Sequence, residues 1–326
     1  MRNVSDLPRL WAPRVTRTHM LRRTRHAPES RHARRLSCSA AALAAMAMSC
    51  CAAEAVAGEL IEQTIRIPVR MDWTPTPQKS VPLFVTLTYQ AGTRHRPFVL
   101  LLHGRPTTPE AFARMGILSY PANARWLVEQ GFAVLTPTRI GYGQTGGPDV
   151  EFAGNCDAKD YRRPLLAMHS EVRQLLGFAR HWPAVDVRHG LVLGESFGAL
   201  GALALGNGSQ PGVLGVVNVA GGDGGDFTQP DHPCASDAVS RAFGGLGASA
   251  RLPSLWLYSR NDHLWGNLLP RQWFASYQQA GGQGRFVELE DVPGNGHFMF
   301  NRRPLTWHAP LLEFARSVGV GGRVTR

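Results

Sequence analysis

The sequence predicts an α/β fold, with a mostly parallel sheet of about eight strands, helices on both faces and an antiparallel N-terminal edge. Three observations support this class. From about residue 98 onward, short apolar runs alternate with segments of helical periodicity, which is the pattern of βαβ units. The run Phe98–Leu102 is apolar throughout, as expected for a strand buried on both faces. Two alternating strands precede it, joined by a short connection.

The individual elements follow from periodicity and composition. Residues 60–71 and 81–89 alternate between apolar and polar side chains and are the two leading strands. The segment 237–243 is a short helix within a stretch, 221–251, that leaves room for only a small or absent lid. The remaining strands are predicted at 98–102, 132–135, 191–193, 213–219, 255–258 and 286–289, and the remaining helices at 120–130, 164–181, 199–205, 270–279 and 305–318.

The positive charge of the chain is concentrated at its N-terminus. The first 57 residues carry ten arginines and three acidic residues, so they account for +7 of the net charge of +11. Because most of the charge lies outside the predicted domain, the basic composition does not indicate a nucleic-acid-binding protein.

The same segment has the pattern of a secretory signal peptide. A basic region, an apolar Ala-rich stretch over 36–53 and the small residues Ala55-Val56-Ala57 follow one another. We therefore predict that 1–57 is a signal peptide with a basic N-terminal extension and that 58–326 is one catalytic domain, exported to the periplasm or secreted. A disordered basic tail and a retained anchor are the alternatives. No other stretch is apolar and long enough to cross a bilayer, so no membrane association is expected after removal of the signal.

Two cysteines, Cys156 and Cys234, remain in the predicted mature chain. An even pair in an exported protein predicts one disulfide, with two buried free thiols as the alternative. No Cys/His grouping has zinc-ligand spacing, so no metal site is predicted.

The pentapeptide Gly194-Glu195-Ser196-Phe197-Gly198 is the main candidate for chemistry. It lies between the apolar strand 191–193 and the Ala- and Leu-rich helix 199–205. In this context the pattern indicates a nucleophile elbow, in which a sharp turn exposes the serine hydroxyl. The flanking glycines allow neighbouring segments to approach the turn closely. An ordinary Gly-rich turn is the alternative.

A serine nucleophile needs a base and an acid that orients the base. His297 is the candidate base because it follows the last strand and precedes the last helix, whereas His169, His181 and His308 fall on predicted helices. The candidate acid is Asp262, which comes just after a strand, at the sheet edge where α/β proteins bind their ligands. The alternative acids are Asp223, Asp226 and Asp291.

Backbone amides are the candidate donors to an oxyanion. We predict one from Phe197 and one from Arg105, which follows His103-Gly104 at the end of a strand. The Arg105 side chain is expected either to line the pocket or to be a solvated surface charge. We also expect His103, Tyr142 and Trp265 to contact substrate.

Taken together, His103-Gly104, the Ser196 pentapeptide, Asp262 and His297 resemble the α/β-hydrolase superfamily over about residues 60–320, in the order Ser, Asp, His that this fold uses. The nearest resemblance is to exported dienelactone-hydrolase-like serine esterases, although the nucleophile of true dienelactone hydrolases is cysteine.

This resemblance implies a serine hydrolase that cleaves small-molecule or polymeric carboxylic esters through an acyl-enzyme, with no cofactor. A peptidase or amidase with the same triad, and a catalytically silent binding protein on this scaffold, are the alternatives.

Overall fold

The structure is a computed structural model, and it describes residues 58–73 and 80–321. The strands are β1 (Leu60–Val69), β2 (Val81–Gln90), β3 (Arg96–Leu102), β4 (Ala133–Thr138), β5 (Val185–Glu195), β6 (Val213–Val219), β7 (Ser254–Ser259) and β8 (Gly284–Leu289). The helices are α1 (Pro109–Arg114), α2 (Pro121–Glu129), α3 (Arg162–Ala179), α4 (Phe197–Leu205), α5 (Ser236–Ser249), α6 (Leu269–Gln279), α7 (Met299–Arg302) and α8 (Pro304–Ser317), with a 3₁₀ turn at Gly296–Phe298 before α7.

These strands form an eight-stranded sheet in the order β1-β2-β4-β3-β5-β6-β7-β8. β1 pairs antiparallel with β2, and β2 pairs antiparallel with β4. Every later pairing, from β3 with β4 to β7 with β8, is parallel. The predicted sheet, parallel with an antiparallel N-terminal edge, is confirmed.

Helices cover the sheet on both faces because its central strands are apolar on both sides. In β3, Phe98, Leu100 and Leu102 face a core that includes side chains of α3, α4, α5 and α6. The intervening Val99 and Leu101 face a second core, which includes side chains of α2, α7 and α8. Because β3 to β8 pair in parallel, the carboxyl ends of these strands, and the loops that follow them, lie along one edge of the sheet.

The segment predicted as a short helix over 237–243 is the longer helix α5. Three glycines lie in its second half. Because glycine has a low helix propensity, the sequence predicts a helix that ends before them. At Gly247, however, a Cβ would lie 2.1 Å from the carbonyl oxygen of Tyr277 in α6, so close helix packing requires glycine there. α5 therefore packs against α6 as part of the helical layer. The short helices α1 and α7 and the early start of β5 were also absent from the prediction.

The predicted signal peptide and its cleavage site lie outside the described residues. Within 58–73 and 80–321, no helix is long and apolar enough to span a membrane.

Candidate active site

Ser196 lies at a tight turn between β5 and α4. Its backbone has φ 53° and ψ −124°, a conformation that costs free energy in a residue with a side chain and is concentrated at functional sites. Two glycines make the turn sterically feasible. A Cβ at Gly194 would lie 2.1 Å from the carbonyl oxygen of Gly198, and one at Gly198 would lie 2.4 Å from that of His103. The turn has the strand–turn–helix context of a nucleophile elbow.

His297 reaches this serine from the 3₁₀ turn that follows β8. Its Nε2 lies 3.2 Å from Ser196 Oγ, and its Nδ1 lies 3.0 Å from Oδ2 of Asp262. The turn is held by Asn295, whose side-chain oxygen accepts hydrogen bonds from the amides of His297 (2.9 Å) and His263 (3.0 Å). The structure therefore brings the three predicted residues into one hydrogen-bonded series.

Asp262 is buried directly after β7. Its Oδ1 accepts hydrogen bonds from the amides of Leu264 (2.8 Å) and Trp265 (3.3 Å), which leaves Oδ2 for His297. This division of the two oxygens fixes the carboxylate plane and thereby the orientation of the imidazole.

The alternative acids are engaged elsewhere. Asp223 pairs with Lys159 at 2.7 Å, Asp291 accepts from Arg260 at 3.2 Å, and Asp226 accepts from the amide and hydroxyl of Thr228. Within the described ranges, no group of three or more His, Cys, Asp or Glu side chains is arranged to hold a metal ion.

A second carboxylate lies near His297. Glu195, the variable residue before the serine, accepts a hydrogen bond of 2.6 Å from the hydroxyl of Tyr120. Burial lowers the pKa of His297, but the charge and hydrogen bond of Asp262 and the charge of Glu195 outweigh burial, so the pKa is raised. Burial also raises the pKa of Glu195, against the opposing effects of Tyr120 and His297. Sequence reasoning missed Glu195 because the motif places no chemical requirement on this position.

The loop after β3 packs against the nucleophile, as a donor loop for an oxyanion must. A Cβ at Gly104 would lie only 3.1 Å from the Cβ of Ser196. Arg105 is the next residue along this loop. Phe197, on the other side of the serine, begins α4, and the first amides of a helix have no intrahelical acceptor. The loop of Arg105 and the first residue of α4 therefore both lie next to Ser196, and the role of their amides as oxyanion donors stays a prediction.

A buried guanidinium holds this loop in place. Nη1 of Arg139 donates to the carbonyl oxygen of His103 at 2.6 Å, and its amide donates to His103 Nε2 at 3.1 Å. Its Nε and Nη2 donate to Glu151 at 2.5 and 3.0 Å. Because Nε2 of His103 accepts, its Nδ1 carries the proton and donates to the carbonyl oxygen of Gly104 at 2.8 Å. Burial and the charge of Arg139 lower the pKa of His103 well below its ordinary value, so the ring is neutral.

His103 and Tyr142, which we predicted to contact substrate, are not among the residues that line the cavity beside Ser196, and their contact with substrate stays a prediction. Both are buried, and the Tyr142 hydroxyl donates to Glu151 at 2.5 Å beneath the loop. The burial of these two side chains depends on packing between segments that are distant in sequence, so it could not be predicted from the residues around each of them. Trp265, in contrast, lines the cavity beside Ser196 and meets the His297 ring edge to face at 5.4 Å.

The Arg105 side chain is not a solvated surface charge. It forms a bidentate ion pair with Asp149 at 2.8 and 2.5 Å, and one of its nitrogens also donates to the Tyr142 hydroxyl at 3.2 Å. Its guanidinium lies over the ring of Phe112, 4.6 Å from the centroid. Arg105 therefore lines the cavity as half of an ion pair.

A cavity of about 1010 Å³ opens beside Ser196. Its walls come from loops after β3, β4, β6 and β7, within residues 105–108, 149–159, 222–234 and 264–265. The predicted disulfide is confirmed: Cys156 and Cys234 are bonded, with their Cα atoms 5.6 Å apart. Both cysteines line the cavity, so the bond joins the loops after β4 and β6 at the site itself.

No protein-family model matches the chain, and comparison with curated proteins gives no match. The structure is similar to solved structures. An esterase from Pyrococcus furiosus matches with a TM-score of 0.53 at 15% identity, over 80% of this chain and 91% of that one. An acetyl xylan esterase from a Paenibacillus species matches with a TM-score of 0.50 at 15% identity, over 80% and 89%.

An acylaminoacyl peptidase from Pyrococcus horikoshii matches with a TM-score of 0.53 at 10% identity. The match covers 82% of this chain but 43% of the peptidase. At such identities the likeness concerns the fold. Together with the strand order and the turn between β5 and α4, these similarities show that the chain has the α/β-hydrolase fold.

Proposed function

We propose that the protein is a serine hydrolase that cleaves carboxylic esters. The observation that carries this proposal is the hydrogen-bonded series from Ser196 through His297 to Asp262, beside an open cavity. The strained backbone of Ser196 and the loop packed against it support the same conclusion.

The geometry supports an acyl-enzyme mechanism. Ser196 attacks the ester carbonyl while His297 takes the hydroxyl proton, and His297 then protonates the leaving alcohol. Asp262 keeps the Nδ1 proton of the imidazole in place and stabilises the imidazolium that forms. The amides of Phe197 and Arg105 stabilise the oxyanion. Water, activated by the same histidine, hydrolyses the acyl-enzyme.

The test combines turnover with covalent labelling. The protein is assayed on p-nitrophenyl esters from acetate to palmitate and treated with an organophosphonate probe. We expect hydrolysis with a preference for short acyl chains, because the residues that the structure describes include no large lid over the cavity, and labelling that disappears in Ser196→Ala. Ser317→Ala, at the end of α8, is the matched control and keeps both properties. Absence of labelling and turnover in the folded native protein would establish the silent binding protein instead.

A peptidase or amidase is the second candidate, because the same fold is found in the acylaminoacyl peptidase. Paired ester and amide substrates with one acyl group separate the two. We expect the ratio of kcat/KM for the ester to that for the amide to exceed the ratio of their uncatalysed hydrolysis rates. Equal or faster turnover of the amide would favour the peptidase.

Export is also part of the proposal. The disulfide is a bond that persists in oxidising compartments, and the basic and apolar N-terminal segment has the pattern of a signal. Fractionation of cells that express the full chain tests it: we expect mature protein outside the cytoplasm with Gly58 at its N-terminus. Full-length protein in the cytoplasm would contradict export.

A further inference from the structure

An ion pair that the proposed chemistry does not use lies in the cavity wall. Lys159 Nζ lies 2.7 Å from Oδ2 of Asp223, with the two side chains 10% and 14% exposed. Lys159 belongs to the loop after β4 and Asp223 to the loop after β6, and both line the cavity that contains Ser196. The pair is therefore shielded from bulk solvent yet accessible from the cavity.

The pair retains hydrogen-bonding capacity. The Tyr161 hydroxyl donates to the same oxygen, Oδ2 of Asp223, at 3.0 Å. In the part of the chain that the structure describes, Oδ1 of Asp223 accepts no hydrogen bond and Lys159 makes only the one to Asp223. An ammonium has three donors and a carboxylate oxygen two acceptor sites. The wall thus presents unused donors and an unused acceptor side by side.

Three contacts fix the pair relative to the nucleophile. Tyr161 packs against Phe197, the residue after Ser196, with ring centroids 6.5 Å apart. The Cys156–Cys234 disulfide joins the same two loops. A Cβ at Gly224, next to Asp223, would lie 2.4 Å from the carbonyl oxygen of Cys234. Such tight packing gives the pair a defined position, as a binding subsite requires.

The other groups of the wall restrict the class of ligand. The arginine and the lysine of the cavity wall, Arg105 and Lys159, are each paired with a carboxylate, so neither is a free cation that would select an acidic substrate. A long acyl chain would cover these ion pairs without hydrogen-bonding them, which is costly. Phe152 lines the same cavity and is 57% exposed, which provides an aromatic face.

We propose that the Lys159–Asp223 pair is a subsite for adjacent hydroxyl groups, and that the substrate is a short-chain ester of a polyhydroxylated alcohol such as a sugar. One hydroxyl donates to Oδ1 of Asp223, and its neighbour accepts from Lys159. The less polar face of the sugar ring packs on Phe152. This assignment rests on the proposed esterase activity of Ser196 and adds the chemical class of the alcohol.

The first experiment compares two esters that share the acyl group and the ring size. Methyl 6-O-acetyl-glucoside carries ring hydroxyls, whereas cyclohexylmethyl acetate carries none. We expect a higher kcat/KM for the sugar ester. The double variant Lys159→Met/Asp223→Asn removes both charges together. In this variant the kcat/KM for the sugar ester, divided by that for cyclohexylmethyl acetate, should fall by about tenfold or more. This is the loss expected for one hydrogen bond to a charged group. The exposed neighbour Asp160, paired with Arg162, supplies the control Asp160→Asn, in which the ratio is unchanged.

The second experiment measures binding without turnover. Ser196→Ala is titrated with methyl 6-O-acetyl-glucoside in a calorimeter, with and without the double substitution, and the melting temperature of each variant is recorded. Saturable binding that the double substitution weakens supports the subsite. A sugar preference that survives in a folded double variant, or equal turnover of both esters by the native protein, would overturn it. Failure of the ester activity itself would appear separately, as absence of turnover of both esters and of p-nitrophenyl acetate.

Discussion

At the scale of single residues, the candidate site depends on how the neighbours of His297 control its protonation. The imidazole must be neutral to take the serine proton, so activity should be present above the pKa of His297 and lost as the pH falls through it. The charges of Asp262 and Glu195 both raise this pKa against the effect of burial. The two carboxylates differ in their contacts: Asp262 is hydrogen-bonded to the imidazole ring, whereas Glu195 is hydrogen-bonded to the Tyr120 hydroxyl.

Asp262→Asn should shift the acidic limb of the kcat/KM profile to lower pH, because one of the charges that raises the pKa of His297 is removed. It should also reduce kcat by about 10⁴-fold, since the amide no longer holds the imidazole in the required tautomer. A pH series with p-nitrophenyl acetate measures both effects. Asp291→Asn, on the surface of the neighbouring loop, is the control. A limb that stays in place in Asp262→Asn would show that another group titrates.

Glu195→Gln should shift the same limb in the same direction with a much smaller loss of kcat. The side-chain amide removes the charge but keeps an oxygen to accept from Tyr120. If Glu195 only supported the fold of the turn, activity would fall without movement of the limb. The exposed Glu62→Gln of β1 controls for a general change of charge, and the comparison requires melting temperatures close to that of the native protein.

Local sequence indicated Ser196, Asp262 and His297 as one candidate set because strand ends on a parallel sheet converge at one edge. It did not distinguish which polar residues near those ends face the cavity. His103 and Tyr142 occur in loops as rich in glycine as the others, yet Arg139 and Glu151 draw them into a buried network. The buried contacts of Arg139 could not be predicted, since its partners lie 12 and 36 positions away in the chain.

At the scale of elements, the strands were predicted better than the helices. Each parallel strand contains a short apolar stretch, which local sequence reports directly. α5 is longer than predicted because its close contact with α6 tolerates the glycines that weaken a helix in isolation. α3 shows the same dependence on tertiary contacts. It carries Glu171 on its buried face, where Oε2 accepts from the amide of Ile140 at 3.1 Å.

Glu171→Gln should stabilise the protein at alkaline pH. Burial, and then the charge of Glu151, raise the pKa of Glu171 from the ordinary 4.5 to about 8. Because the folded value lies above the unfolded one, this group favours folding most below pH 4.5, and that contribution is lost as the pH rises towards 8. Glutamine does not titrate, so its stability advantage should grow by about 1.4 kcal/mol per pH unit between these values.

Urea unfolding of both proteins at several pH values measures this difference. Glu129→Gln, at the exposed end of α2, should give a profile parallel to that of the native protein. A parallel profile for Glu171→Gln as well would show that the buried carboxyl group is ionised throughout.

At the scale of the whole molecule, the sheet supplies a rigid edge, and the disulfide connects two of the loops that rise from it. Composition alone predicted one disulfide, because two cysteines remained in a chain with an export pattern. That Cys156 meets Cys234 does not follow from adjacent strands, because β3 and β5 lie between β4 and β6 in the sheet; the loops after β4 and β6 meet at the cavity. The bond closes a loop of 78 residues in sequence and lines the cavity. It therefore acts on the stability of the chain and on the shape of the site.

These two effects are separable in Cys156→Ser/Cys234→Ser. Loss of the cross-link should lower the free energy of unfolding by about 2–5 kcal/mol, because the unfolded chain gains conformational freedom. At 25 °C the sheet should remain folded, since its two cores do not include the disulfide. Activity should nevertheless fall, because the Lys159–Asp223 pair and its two loops lose their fixed position beside Ser196.

Assays with and without a reducing agent, alongside circular dichroism, test this prediction, and the double variant should not respond to the reductant. Full activity of reduced, folded protein would show that packing alone holds the cavity in shape.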